Sequence, residues 1–362
     1  MSLTVFILGA GASREAGGPL MADFLDTADE LRRTIDLGDD KTSFDAVFKG
    51  VSALQAVHSK STLDVYNLES VFAAFEMASL FGRLGTLTSQ EIQGMSAAIR
   101  RLIVRTLEER IMLPVSGKTV KPPLPYEQLV KLVLALPRSP QTRGPANASI
   151  VTFNYDISLD FAFHDRRVGV DYCLKPSSDM TRFHLMKLHG SLNWGRCSQC
   201  HSVVSWHLEA FFAKHHWDIW GSEPKTVPFK IASVLKEFTH CDNHVERDPV
   251  IVPPTWNKTQ YHQQIEAVWS QAARHLSEAE NIFIVGYSLP ETDQFFRYLY
   301  SLGTVGDTLL KRVWVFDPDR ATVEKRFEAL LGETAKARFR FVQATFTEAV
   351  AMLRDHFKIK DD

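Results

Sequence analysis

The sequence predicts an α/β protein with a Rossmann-like, doubly wound and mainly parallel sheet, into which a helical module and a small additional lobe are inserted. Short apolar runs typical of buried strands occur near the beginning, in the middle and towards the end of the chain. The later runs alternate with segments of helical periodicity, and such alternation builds parallel sheets. Paired cysteine and histidine residues between the middle and late strands mark the lobe.

The first strand is predicted at Leu3–Leu8, a continuous apolar run of the kind that is buried in a parallel sheet. The motif Gly9-Ala10-Gly11-Ala12-Ser13 follows it directly. Its glycines permit a tight turn and let a phosphate group approach the backbone, and Ser13 is expected to cap the next helix. The alternative interpretation is a strand–turn–helix corner that binds no ligand.

Two further strands are predicted to end in polar side chains. The run Ala148–Phe153 ends at Asn154 and Asp156, and the run Phe183–Leu188 ends at His189. These residues can also be plain turn formers or a satisfied structural histidine. Because ligands bind at the carboxyl ends of the strands in open α/β sheets, we expect the three strand ends to meet at one rim and to form a dinucleotide site.

The remaining elements divide the chain into three parts. Helical periodicity at Leu68–Leu80, Ile92–Leu113 and Tyr126–Leu136 predicts a helical insert over residues 31–140. The Rossmann-like domain is expected to be discontinuous and to cover residues 1–30, 141–196 and 248–362. Its later strands are predicted at Asn281–Gly286, Arg312–Asp317 and Arg338–Gln343, and its later helices at Gln260–Leu276, Asp293–Ser301, Ala321–Leu331 and Thr347–Phe357.

The lobe between residues 197 and 247 is predicted to bind zinc. The pairs Cys197-x-x-Cys200 and Cys241-x-x-His244 supply the four donor atoms of a closed tetrahedral site. His201 and His240 are alternative ligands, and a disulfide or free thiols are alternative states. Because four protein ligands leave no open position, the zinc is expected to be structural.

Asp317 ends a late strand, and two interpretations of it remain open. A carboxylate in this position can accept hydrogen bonds from an adenine or ribose group of a bound nucleotide. It can equally be a turn residue before Pro318.

The strand-end motifs resemble those of the sirtuin superfamily. Three motifs stand in the sirtuin order and precede a Cys-x-x-Cys: the glycine motif after the first strand, Thr152-Phe153-Asn154-Tyr155-Asp156, and Leu188-His189-Gly190. The Thr-x-Asn-Tyr-Asp form is similar to a bacterial sirtuin-like branch that includes NAD-hydrolysing enzymes of antiphage defence. Gly286-Tyr287-Ser288-Leu289 also resembles the sirtuin Gly-x-Ser-Leu strand end that contacts the cofactor. The resemblance covers both ends and the middle of the chain, but not residues 30–140.

This resemblance implies a role for each matching residue. Asn154 would position a water near the nicotinamide ribose, Asp156 would line the carboxamide pocket, and His189 would act as general base. An imidazole with a pKa of about 6.5 suits proton transfer near neutrality. Gly286 and Ser288 would contact the adenosine side. The pyrophosphate would be held by Gly9, Ala10, Gly11 and Ser13.

Two departures from the protein-deacylating sirtuins favour NAD hydrolysis by water. Those enzymes have a glutamine where this chain has Phe153, and their cofactor loop carries an arginine that is missing after Gly18-Pro19-Leu20-Met21-Ala22-Asp23-Phe24. We therefore expect an NAD+ glycohydrolase, a regulated effector in prokaryotic antiphage defence. The alternatives are a protein deacylase or ADP-ribosyltransferase, and a nucleotide sensor without turnover.

Composition excludes several other classes. With 41 basic and 43 acidic residues, the chain has no general attraction to nucleic acid or to an anionic membrane. Four cysteines, most of them expected on metal, fit a reducing cytoplasm. The first eight residues read as a strand and not as a signal peptide. A homo-oligomer or a regulatory protein partner is expected from the family resemblance alone.

Overall fold

The computed structural model describes residues 3–56, 63–137, 145–176, 179, 181–217, 225–253, 263–291, 293–306 and 308–359. The strands in this part of the chain are β1 (Leu3–Leu8), β2 (Met112–Ser116), β3 (Thr119–Val120), β4 (Ala148–Thr152), β5 (Val170–Asp171), β6 (Phe183–Lys187), β7 (Trp194–Arg196), β8 (Val203–Ser205), β9 (Thr226–Pro228), β10 (Thr239–His240), β11 (Asn243–His244), β12 (Ala279–Val285), β13 (Arg312–Phe316) and β14 (Phe339–Val342). The α-helices are α1 (Ala10–Arg14), α2 (Phe24–Thr34), α3 (Lys41–Ala56), α4 (Leu68–Phe81), α5 (Ser89–Arg110), α6 (Leu124–Ala135), α7 (Ser158–Asp165), α8 (Leu208–Phe212), α9 (Glu266–Glu278), α10 (Gln294–Gly303), α11 (Arg320–Leu330), α12 (Glu333–Lys336) and α13 (Phe346–Phe357).

The central sheet contains seven described strands in the order β14-β13-β12-β1-β4-β6-β5, and every pair is parallel. From β1 the chain first builds one side of the sheet through β4, and later returns to build the other side through β12. The strand order therefore reverses at β1, which is where an open α/β sheet leaves a crevice at the carboxyl ends of its strands. This architecture confirms the predicted doubly wound α/β fold.

The apolar character of β1 explains its central position. Its residues from Val5 to Leu8 are fully buried. Ile7 pairs with Ile284 of β12 on one side and with Val151 of β4 on the other. A strand that is covered on both faces and paired at both edges has no polar side, so it appears in the sequence as a continuous apolar run.

The segment between β1 and β4 is mostly helical, as expected. Asn67 caps α4 by accepting hydrogen bonds from the first backbone N–H groups, and Thr88 with Glu91 forms a capping box at the start of α5. Helices α3 and α4 both pack on α5.

The prediction that helix Ile92–Leu113 reaches its last residues was wrong. Helix α5 ends at Arg110, and β2 begins two residues later. Pro114 lies within this strand, and a proline interrupts helical hydrogen bonding because it has no N–H group. Strand β2 pairs with β3 and also with β9, so the segment between β1 and β4 contributes to a small sheet shared with residues 226–228.

The later strands and helices alternate as predicted. The helix expected from Gln260 begins at Glu266 after a short 3-10 turn, and residues 254–262 lie outside the described residues. The proposed domain boundary at residue 141 also lies outside them, and the three-part division remains a proposal. No helix in the described part of the chain is long and apolar enough to cross a membrane.

Candidate functional site at the carboxyl ends of the central strands

The glycine turns after β1 and β12 cross each other at very close range. The Gly11 N–H donates to the Gly286 carbonyl at 2.9 Å, and the Gly9 N–H donates to the Val285 carbonyl at 3.1 Å. Gly286 has a φ of +63°, and a Cβ atom there would lie 2.5 Å from the Ala12 nitrogen. These glycines are therefore required for the backbone crossing itself, and the two N–H groups are engaged by protein carbonyls.

Ser13 does not cap α1, which corrects the sequence prediction. The helix begins after Gly9 without a side-chain cap, and Ser13 is its fourth residue. The buried Ser13 hydroxyl instead donates to Asp156 Oδ2 at 2.6 Å and lies 3.1 Å from the Tyr126 hydroxyl. Burial and the nearby Asp156 charge raise the pKa of Tyr126 well above its usual value, so Tyr126 stays protonated.

The polar loop after β4 is tied to the first glycine turn. Asn154 Nδ2 donates to the Gly9 carbonyl at 2.9 Å, and Asp156 Oδ1 accepts from the Ser158 backbone N–H at 2.9 Å. The side chains of Asn154 and Asp156 are buried. Asn154 and Asp156 therefore connect the ends of β1 and β4 through direct hydrogen bonds.

His189 lies among aromatic rings at the same edge of the sheet. Its ring centroid is 5.0 Å from that of Phe153, which stacks on Tyr287 at 4.2 Å with an interplanar angle of 11°. The Tyr287 hydroxyl donates to Asp293 Oδ2 at 2.6 Å. The His189 carbonyl accepts from the Val252 N–H at 2.7 Å, which fixes the backbone beneath the imidazole. The aromatic cluster joins the ends of β4, β6 and β12.

The strand ends thus converge as the sequence predicted, but three partners were missed. Tyr126 was predicted only as part of a helix, and Tyr287 stood in the motif at residues 286–289 without an assigned role, because no local pattern shows which ring or hydroxyl contacts the site. Lys187 lies in the run Phe183–Leu188, yet its burial is visible only in the structure, where its side chain is 1% exposed.

The two residues expected on the adenosine side differ in environment. Ser288 is exposed, and its carbonyl accepts from Arg326 Nη1 at 3.2 Å. Asp317 is buried, and burial raises the pKa of its carboxyl group. Its Oδ1 accepts from the Asp319 N–H at 2.9 Å, which is the local turn contact considered as one alternative. A contact from Asp317 to a nucleotide remains a proposal.

A second group of functional side chains lies in the lobe that contains β7, β8, β10 and β11. Donor atoms of Cys197, Cys200, His240 and Cys241 all lie within 4.8 Å of one another. His240 Nδ1 is 3.6 Å from Cys200 Sγ and 3.2 Å from Cys241 Sγ. In tetrahedral zinc coordination, with Zn–S near 2.3 Å and Zn–N near 2.0 Å, neighbouring donor atoms are about 3.5 Å apart. The four side chains therefore fit a zinc ion.

His244, predicted as the fourth ligand, is not part of this cluster, and the alternative His240 takes that position. In the β10–β11 hairpin His240 pairs with Asn243, while His244 pairs with Thr239. Consecutive residues of a strand point to opposite faces, so His244 lies on the face away from the cysteines. The other alternative, His201, is absent from the cluster among the described residues.

The thiols differ in their readiness to bind metal. Hydrogen bonds from Ser202 lower the pKa of Cys200 to about 6, so its thiolate is available at neutral pH. Burial raises the pKa of Cys173 to about 12 and keeps that thiol neutral. Cys173, Asp171 and His184 also have donor atoms within 4.8 Å of one another, but a protonated thiol makes them the weaker candidate.

Fold and site together define a class: an α/β protein with a polar and aromatic site at the reversal point of a parallel sheet.

No protein-family model and no curated protein matches the sequence. Among solved structures, the chain is similar to a Sir2 homologue in complex with NAD, at 14% identity and a TM-score of 0.43, over 98% of this chain and 89% of that one. It is also similar to a Sir2 homologue mutant in complex with ADP-ribose, at 13% identity and a TM-score of 0.40, over 99% and 94% of the two chains. At this level the similarity assigns neither a family nor an activity.

Proposed function

We propose that this protein is a sirtuin-like NAD+ glycohydrolase that cleaves the nicotinamide–ribose bond to give nicotinamide and ADP-ribose. The observation that carries the proposal is the meeting of Asn154, Asp156 and His189 beside the crossed glycine turns, where the strand order reverses. A dinucleotide fits this position in open α/β sheets. The motif resemblance to sirtuins supplies the substrate.

The proposed reaction assigns a separate task to each polar residue. Asp156 lines the pocket for the nicotinamide carboxamide, and Asn154 holds a water molecule near the ribose. The bond from C1′ to the nicotinamide nitrogen breaks, and nicotinamide leaves as a neutral molecule with the electron pair. The water oxygen bonds to C1′ through an oxocarbenium-like transition state, and His189 accepts the water proton.

The nucleotide contacts are proposed around the crossed turns. Because the Gly9 and Gly11 N–H groups are engaged, we propose that these residues contribute close backbone approach to the pyrophosphate, together with Ala10 and Ser13. Gly286, Ser288 and Asp317 are proposed on the adenosine side. We also propose that Cys197, Cys200, His240 and Cys241 hold a structural zinc, because four protein ligands leave no open position for chemistry.

Water is proposed as the acceptor because of the residues that surround the imidazole. Phe153, in the position where deacylating sirtuins have a glutamine, packs between His189 and Tyr287 and offers no hydrogen-bonding group. Hydrolysis needs no acceptor side chain from a second protein. Uncontrolled loss of NAD would damage a cell, so we propose a regulated effector, activated by self-association or by a protein partner in antiphage defence.

Incubation of the purified protein with NAD+ alone tests this proposal. Chromatographic detection of nicotinamide and ADP-ribose without any acceptor is the expected result, and His189→Ala and Asn154→Ala should abolish it. His244→Ala, an exposed histidine outside both sites, is the matched control and should remain active. Nicotinamide release only after addition of an acylated peptide would indicate a deacylase, and binding without release would indicate a sensor. Full hydrolysis by both site variants would refute the residue assignment.

The regulatory part of the proposal has its own test. Light scattering after size-exclusion chromatography, with and without NAD+, measures the oligomeric state in solution. Activity that appears only in an assembled form is the expected result. A fully active monomer would contradict activation by self-association.

A further inference from the structure

A buried polar network lies directly beneath the candidate site. The Lys187 ammonium group donates to the Asp156 carbonyl oxygen at 2.6 Å and to Asp160 Oδ2 at 3.1 Å. Tyr172 donates to the other Asp160 oxygen at 2.6 Å, and Asn193 Nδ2 donates to the Tyr172 hydroxyl at 3.0 Å. The side chains of Lys187 and Asp160 are each 1% exposed, so both charges are removed from water.

The ion pair has little value as a source of stability. Desolvation of two buried charges roughly offsets their attraction, and packed apolar side chains of similar volume often stabilise a fold as well or better. The third contact of Lys187, to a backbone carbonyl of the loop after β4, is therefore the informative one. That loop carries Asn154 and Asp156. Lys187 is the last residue of β6 and precedes His189 by two residues.

We infer that Lys187 is a positioning residue for the proposed reaction, because it fixes the backbone of Asp156 relative to the end of the strand that leads to His189. This inference rests on the proposed NAD+ cleavage. Asp156 is held on two sides: Ser13 binds its carboxylate and Lys187 binds its carbonyl oxygen. The Lys187 ammonium group also donates to Asp160, and Tyr172 donates to the other oxygen of that carboxylate.

Two backbone hydrogen bonds also join the end of β4 and its following loop to the chain that follows β6. The Leu188 N–H donates to the Thr152 carbonyl at 2.9 Å, and the Leu192 N–H donates to the Tyr155 carbonyl at 3.0 Å. The Lys187 contact adds a side-chain link between these segments, and it reaches Asp156, whose carboxylate accepts from Ser13. Loss of the contact is expected to shift Asp156 without opening the sheet, and shifts of this kind lower turnover more than binding.

Two variants separate positioning from stability. Asp160→Asn removes the ion pair but leaves Lys187 free to donate to Asp156, whereas Lys187→Met/Asp160→Asn removes both charges and the donor. We expect Asp160→Asn to melt at a lower temperature and to keep kcat for NAD+ within about threefold of the wild type. We expect the double variant to fold and to lose kcat by about tenfold or more.

Calorimetric binding of ADP-ribose, which lacks the nicotinamide group, provides the second measurement. A positioning role predicts that the double variant binds ADP-ribose with the Kd of Asp160→Asn and loses only turnover. Equal kcat in the two variants, or loss of ADP-ribose binding in parallel with kcat, would overturn the inference. If the wild type releases no nicotinamide, the proposed function fails first and the inference falls with it.

Discussion

A buried carboxyl group on helix α5 makes stability depend on pH in a way that can be calculated. Glu108, near the end of α5, is 2% exposed. Its Oε1 accepts from the Ala232 N–H at 2.7 Å and the Ser233 N–H at 3.1 Å, and its Oε2 accepts from the Ser233 hydroxyl. Burial outweighs these hydrogen bonds and raises the pKa of Glu108 to about 7 from its usual 4.5.

The sign of the effect follows from the two protonation states. Below pH 4.5 the carboxyl group is protonated in both the folded and the unfolded chain, and its contribution to stability is fully present. Above that pH the unfolded chain releases the proton first, so the free energy of unfolding decreases until the folded group also ionises near pH 7. A pKa difference of this size corresponds to roughly 3 kcal/mol.

The variant Glu108→Gln isolates this contribution, because glutamine keeps the shape and does not ionise. We expect the free energy of unfolding of the wild type, minus that of the variant, to fall by roughly 3 kcal/mol between acidic and slightly alkaline pH. Urea denaturation at a series of pH values from about 5 to 8 measures the difference where most of it lies. Glu333→Gln, whose side chain is 91% exposed, is the surface control. A difference that stays flat over this range would refute the reasoning.

Three further predictions concern the metal cluster, the crossed glycine turns and the buried contact between Tyr126 and Ser13. His240→Ala should lose zinc, measured by elemental analysis of the purified protein, whereas His244→Ala should retain one zinc per chain; the opposite pattern would restore the original ligand prediction. Gly286→Ala should lower the free energy of unfolding, measured by urea denaturation, by about 3 kcal/mol, because the added Cβ causes both backbone strain and overlap. Gly332→Ala is the control and should be nearly neutral, because its Cβ would have no atom within 4 Å. Tyr126→Phe should cost about 1 kcal/mol in the same assay, since it removes the buried hydroxyl that contacts Ser13 but keeps the ring packing. An unchanged stability would show that this hydroxyl contributes nothing.

The sequence was sufficient for the main strands and for their meeting point. Continuous apolar runs such as Leu3–Leu8 and Asn281–Gly286 identified strands that are buried on both faces, and the end-of-strand rule brought Gly9, Asn154 and His189 to one edge. It did not reveal β5 (Val170–Asp171), because a two-residue edge strand has no periodicity. The strand β2 was missed because an apolar segment following a long helix looks like its continuation.

The errors within the sites come from contacts that no local pattern contains. Ser13 has the residue type of a helix cap, but its hydroxyl donates to Asp156, which is 143 positions away in the sequence. His240 and His244 both have plausible spacing from the cysteines, and only the pairing of the β10–β11 hairpin decides which one faces them. The face of the hairpin on which a side chain lies depends on the strand pairing, and the spacing of residues along the chain does not determine it.

The central position of β1 also governs how the molecule can be assembled during synthesis. β1 leaves the ribosome well before its neighbour on one side, β12, which begins at Ala279. Until that segment emerges, the backbone N–H and C=O groups on one edge of β1 are unpaired, and an exposed edge on a strand with mostly apolar side chains promotes aggregation. The crossing of Gly11 over Gly286 cannot form either. A nascent chain therefore carries its first motif without a crevice, and the proposed site for NAD+ cannot form until the late strands have been made.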